Sequence, residues 1–159
     1  RDELGASEYA AQLGQSTAGK VPQVDLLSAR SRYRTLYRAV RQGLVSACHD
    51  LSDGGLGPAL AEMAIGGELG ARIDLDSVPA RPREMPAEEK LYSESASRLL
   101  VCVPEDRRHA FEELFSGQTL ACLGGVAEDQ VLSLTSGGVP FIRESVTDLT
   151  SAWKETMNW

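Results

Sequence analysis

At 159 residues the chain is long enough to bury one substantial core, and a single domain suits it. A net charge of −7 excludes wholesale nucleic-acid binding. Content of 42% hydrophobic and 25% charged residues is that of a globular chain, and no apolar run approaches the roughly 20 residues of a membrane-spanning helix. Cys48, Cys102 and Cys122 are odd in number, widely spaced and form no C-x-x-C pair. Each lies in an apolar run, so each is expected in the core of a protein from a reducing compartment, and structural zinc is not expected. The chain opens Arg1-Asp2-Glu3 without a Met and reads as a fragment or a processed product.

Residues 1–24 read as a lead-in, with a short helix near 7–13 and a loop rich in Gly, Ser and Thr. Asp25 is a good N-cap for a long helix that Gly43 ends. Ala29, Tyr33, Leu36, Tyr37, Val40 and Leu44 trace its expected inner face. Arg30, Arg34, Arg38 and Arg41 share another face, and Asp25 is the only acid in 25–44. That basic face is either simply solvated or a contact for an acidic partner domain or a ligand phosphate. Residues 45–48 predict a buried strand.

A helix from about Gly55 carries Leu56, Leu60, Met63 and Ala64 inward, and Gly66-Gly67 is expected to stop it. Residues 71–75 alternate like a strand. Pro79, Pro82 and Pro86 make 77–86 a loop, and Pro86 starts a short helix through Tyr92. Residues 99–103 are a strong strand. Pro104, Glu105 and Asp106 start a helix with Ala110, Phe111, Leu114 and Phe115 inward, which leaves His109 on the surface. Three more strands are expected over 119–126, 131–135 and 139–142, with a bulge at Gly124-Gly125 and a turn at Gly137-Gly138. Ser145-x-x-Asp148 opens a last helix with Val146, Leu149, Trp153 and Met157 inward, and Trp159 in the tail. The order of elements predicts an α+β domain with a mixed sheet covered by helices.

The densest chemistry lies in Ser46-Ala47-Cys48-His49-Asp50-Leu51-Ser52-Asp53-Gly54-Gly55-Leu56-Gly57. A strand, a tight loop and a helix start follow one another there. The amides of Gly54, Gly55, Leu56 and Gly57 are expected to lack partners inside the helix, and three of those residues let a ligand approach the backbone. Asp53 either caps the helix, braces the loop or meets a metal-bound or hydroxyl-bearing ligand, and His49 either donates to a ligand or braces the loop. Tyr92-Ser93-Glu94-Ser95-Ala96-Ser97-Arg98 offers a polar rim for a cleft or a plain helix C-terminus. Glu3-Leu4-Gly5-Ala6-Ser7-Glu8-Tyr9 is, by chemistry alone, a helix start.

Taken together and in this order, these three segments resemble the phosphoribosylformylglycinamidine synthase family, within the aminoimidazole ribonucleotide synthetase-related superfamily. The resemblance covers residues 3–153 and is to a C-terminal-type domain of the synthetase part. It departs from the family pattern at Ala6, where Gly is usual, and at Ala96, where Gln is usual. It implies a three-layer α/β/α domain, distantly ferredoxin-like, filling 1–159. It implies a part in an ATP-dependent C–N ligation of purine synthesis, in which formylglycinamide ribonucleotide becomes its amidine. His49, Asp50, Ser52, Asp53, Gly54 and Gly55 are then expected to hold substrate, with Ser93, Glu94 and Arg98 second to them. No residue of the chain is assigned as catalytic or as a metal ligand. ATP and magnesium are expected mainly on N-terminal-type domains, and ammonia from a glutaminase domain or subunit. The expected compartment is the cytoplasm, and the piece alone is expected to be inactive and prone to self-association. Two alternatives stay open. One is a domain of another ATP-using relative, such as aminoimidazole ribonucleotide synthetase or selenophosphate synthetase. The other is a non-catalytic interaction domain packing on a glutaminase or a twin domain.

Overall fold

A computed structural model describes residues 2–15, 19–82 and 84–155. Its α-helices are α1 (Glu8–Gln12), α2 (Leu26–Arg41), α3 (Leu56–Gly67), α4 (Ala87–Tyr92), α5 (Arg108–Leu114) and α6 (Val146–Glu155). Its strands are β1 (Ala47–Asp50), β2 (Gly70–Asp74), β3 (Leu99–Cys102), β4 (Gly124–Ala127), β5 (Val131–Ser136) and β6 (Val139–Ser145). β1 and β3 form an antiparallel pair with Cys48 opposite Val101 and Asp50 opposite Leu99. The second sheet has the order β4-β2-β5-β6, with β2 and β5 parallel and its other pairs antiparallel. The α+β class and the mixed sheet are therefore as expected.

The core forms on both sides of the β1–β3 pair. Successive strand residues point to opposite faces. Leu100 packs against Leu56, Ala59 and Leu60 of α3, together with Ile73, Leu132 and Leu134 from the four-stranded sheet. Val101 and Val103 pack instead with Ala39 of α2 and Phe111 and Phe115 of α5. Helices thus pack on both faces of β3, and α3 links the small sheet to the larger one. The loop that enters α3 sits between the end of β1 and the start of α3.

Local chemistry explains most element ends. The Asp25 side chain accepts from the Leu27 and Ser28 amides at 3.1 and 3.2 Å and so starts α2. Replacing Asp25 by Ala is expected to lower stability by about 1 kcal/mol in urea unfolding, whereas Ser should hold nearly the full value. Ser145 and Asp148 form the expected box, with the Asp148 amide 3.0 Å from the Ser145 hydroxyl. Gly137 and Gly138 turn β5 into β6 with φ of 59° and 73°, which suits the twist of a two-residue hairpin.

α3 ends at Gly67, as Gly66-Gly67 predicts, with Glu68 beyond it in the left-handed conformation at φ 52°. Several other expectations are corrected. The strand expected over 119–126 forms only at Gly124–Ala127. Gly124 and Gly125 pair in register with Ile73 and Arg72. The irregularity lies instead between Leu134 and Thr135, opposite Pro140, which has no amide to give the ladder. β1 is largely exposed rather than buried, and Cys48 and Cys122 are exposed with Cys102 partly so. Trp153 is 48% exposed because α6 turns Val146 and Leu149, not its distal end, toward the sheet. Met157 and Trp159 lie outside the described residues.

The long helix shows the largest difference. It buries Ala29, Thr35 and Ala39, while Tyr33, Tyr37 and Val40 stay 49–65% exposed. Small residues let α2 lie close on its neighbours. The bulkier apolar residues form a second strip that the domain does not cover.

Candidate functional site

β1 delivers His49 and Asp50 to the loop that starts α3. The backbone is fixed at once, because the Leu51 amide donates to the Arg98 carbonyl at 3.1 Å. Leu51 is buried, Ser52 and Asp53 project outward, and Gly54, Gly55 and Leu56 return to the interior. Gly55 takes φ 75° and ψ −139°, a backbone state that side chains do not favour. A Cβ at Gly55 would stand 2.5 Å from the Ser93 carbonyl oxygen and 2.7 Å from that of Leu91. Contact with 91–93 is therefore sufficient by itself to require glycine here.

Glu94 draws three segments to this point. One of its carboxylate oxygens accepts from the Gly54 amide at 2.8 Å and from the Glu8 amide at 2.9 Å. The Glu94 amide donates to the Glu3 carbonyl at 3.4 Å. Ser7, which is buried, caps α1 by accepting from the Ala10 amide at 3.1 Å. Tyr9 on α1 stacks on Tyr92 with ring centroids 4.5 Å apart and planes 4° from parallel. Gly57 in the first turn of α3 rests against the Tyr92 ring. Stacking at this offset adds about 0.5–1.5 kcal/mol to the burial of the rings.

Arg98 closes the same knot from the other side. Its guanidinium donates to the Ser93 carbonyl and, at 3.2 Å, to the Ser95 carbonyl. Burial pulls it down to about 10, with the Glu3 charge acting in the opposite direction, so it is cationic at neutral pH. Ser93 and Ser95 are buried, at 1% and 5% exposure, and so form no exposed rim. Arg32 of α2 donates to the Ser97 carbonyl at 2.6 Å, which anchors the far end of the segment.

His49 makes its contacts with Glu62 and Asp50 rather than with Glu94. Its Nε2 lies 2.9 Å from a Glu62 carboxylate oxygen on α3, and its Nδ1 lies 2.6 Å from the Asp50 carbonyl. Both ring nitrogens meet protein oxygens, so the imidazole joins β1 to α3. The Asp50 side chain is 68% exposed.

The structure therefore divides the expected site residues. Gly54, Gly55, Ser93, Glu94 and Arg98 come together in one interlocked cluster. His49, Asp50, Ser52 and Asp53 form its outer edge. Of the four amides expected to be without partners, Gly54 donates to Glu94 and Gly55 to the Ser52 carbonyl at 3.1 Å. Among the described residues the Leu56 and Gly57 amides show no such hydrogen bond. Glu62, Arg32 and the Tyr9–Tyr92 stack were not legible in advance. Only Arg32 left a signal, as the one arginine of its helix off the shared basic face.

The chain as a whole is similar to known proteins. The family model described as AIR synthase related protein, C-terminal domain, matches residues 1–136. The phosphoribosylformylglycinamidine synthase subunit PurL of Synechocystis sp. is 36% identical over 155 residues. That match takes in 95% of this chain and 20% of the relative, so the chain spans about a fifth of its length. Thermotoga maritima PurL complexed with FGAR superposes with a TM-score of 0.75 at 26% identity, over 82% of this chain and 22% of that one. The same protein complexed with ATP gives 0.69 at 27% identity, over 76% of this chain and 21% of that one.

Proposed function

The chain belongs to the AIR synthase related protein family as its C-terminal domain, and from that premise we propose that it forms the substrate-cleft domain of a phosphoribosylformylglycinamidine synthase. The convergence of all three motif segments at the start of α3 is the observation that carries this reading. Similarity to a PurL that binds FGAR supports it. The whole enzyme would convert formylglycinamide ribonucleotide to its amidine in purine biosynthesis.

Each residue then has a distinct task. Gly54, Gly55, Ser93, Glu94 and Arg98 position the loop. The Leu56 and Gly57 amides and the Ser52 hydroxyl receive the ribose phosphate, and the α3 dipole adds about 0.3–1 kcal/mol for a nearby anion. His49, Asp50 and Asp53 shape the neighbouring wall of the cleft. ATP would activate the substrate amide oxygen by phosphorylation, and ammonia would displace the phosphate. Magnesium, like ATP, is assigned in this reading to N-terminal-type domains outside this chain, and ammonia supply to a glutaminase domain or subunit. Among the described residues no helix is long and apolar enough to cross a membrane, and the proposed compartment is the cytoplasm.

Ser52→Asp in the full-length enzyme tests the phosphate site. Ser52 is exposed, and only its backbone carbonyl holds Gly55, so the change leaves the knot intact. A carboxylate beside the Leu56 and Gly57 amides is expected to raise KM for formylglycinamide ribonucleotide by about tenfold. KM for ATP should stay near its starting value. An unchanged KM for the ribonucleotide would remove the phosphate from this loop.

A further inference from the structure

The outward face of α2 has the make-up of a protein interface. With a period of 3.6 residues, Leu26, Tyr33 and Tyr37 fall in one exposed strip, at 76%, 49% and 65% exposure. Arg30, Arg34 and Arg38 fall in a second exposed strip beside it and line one shallow groove. Among the described residues, these three guanidiniums make no ion pair or hydrogen bond. No acid lies on α2 to neutralise them. Tyr and Arg are the residue types most enriched where binding energy concentrates.

The chemistry of the two strips selects the occupant. The chain as a whole carries −7, so this basic face is a local reversal of its charge. Pairing α2 with α2 of a second copy would set arginine strips against each other, and like charges oppose such contact. The curated relatives are about five times as long as the match, with the chain covering 20% of the Synechocystis protein. We propose that α2 docks on a carboxylate-bearing protein surface in the remainder of a longer polypeptide, with an apolar strip of that surface against Tyr33 and Tyr37. The longer polypeptide rests on the synthetase reading above; the charge and shape of the face do not.

Hydroxyl-radical footprinting of the full-length polypeptide tests this, with substrate-dependent ATP turnover measured on the same preparation. Tyr33 and Tyr37 are expected to be protected. In Arg34→Glu/Arg38→Glu their labelling should rise by about tenfold, because a like-charge contact opens. Arg34→Lys/Arg38→Lys should keep most of the protection. Tyrosines labelled in the wild-type protein as fast as they are in the Glu variant would overturn the proposal. So would protection that vanishes on dilution, which marks a second copy, or on removal of a separate subunit. So would protection that survives charge reversal. Absent turnover with intact protection would strike the synthetase reading and leave the docking face standing.

Discussion

Gly55→Ala is expected to destabilise the protein by about 4 kcal/mol, an unusually large loss for one methyl group. Two costs add. The residue would hold φ 75° and ψ −139°, close to a region that only glycine populates freely. Its Cβ would also meet the Ser93 and Leu91 carbonyl oxygens at 2.5 and 2.7 Å, and both belong to a backbone pinned by Glu94, Arg98 and the Tyr92 stack. For a domain of this size the thermal midpoint should fall by roughly 8–16 °C. Gly14→Ala supplies the control. Gly14 has φ 68° but nothing within 4 Å of the added Cβ, so it carries the backbone cost alone, about 1–2 kcal/mol. Calorimetry on the two variants separates the costs. Equal losses at the two sites would mean that the α3 entry loop yields to accommodate a side chain. A selective rise in KM for the ribonucleotide, with stability unchanged, would instead restore Gly55 to direct ligand approach.

Periodicity and punctuation make much of this fold legible. Pro86 and Asp25 mark helix starts because a ring without an amide and a short carboxylate suit those positions whatever the tertiary context. Gly137-Gly138 is legible for the same reason. What is lost is whatever packing decides. Tyr33, Tyr37 and Val40 read as an inner face by hydrophobicity, yet α2 is held through Ala29, Thr35 and Ala39 because close approach needs small residues. Pairing across long separations is also silent in a single sequence. Nothing local in Glu94 shows that one carboxylate oxygen serves both Glu8 and Gly54. The three segments were recognisable as a set only through their joint resemblance to a family. Their physical relation, a shared knot behind the loop, emerges from the backbone contacts.

That knot makes Glu94 the second position of large effect. Its Oε1 accepts the amide of Gly54 at the entry to α3 and that of Glu8 at the entry to α1, and both helix starts favour negative charge. Charge-assisted bonds of this kind contribute about 1.5–3 kcal/mol each, with the exposed Glu8 bond at the weak end. Glu94→Ala leaves the part-buried Gly54 amide without its acceptor and the exposed Glu8 amide to water, and is expected to cost about 3 kcal/mol in urea unfolding. Glu94→Gln keeps an acceptor oxygen and loses only the charge, so about 1 kcal/mol should go. Amide hydrogen exchange shows whether the two contacts act together. In Glu94→Ala the Glu8 and Gly54 amides should lose protection in parallel, while the Leu51 amide, held by the Arg98 carbonyl, keeps more of its own. Loss confined to Gly54 would mean that α1 is secured by the Tyr9–Tyr92 stack without Glu94. Loss at neither amide would show that Glu94 does not position the loop. Any substrate defect of its variants would then have to come from direct contact with the ligand.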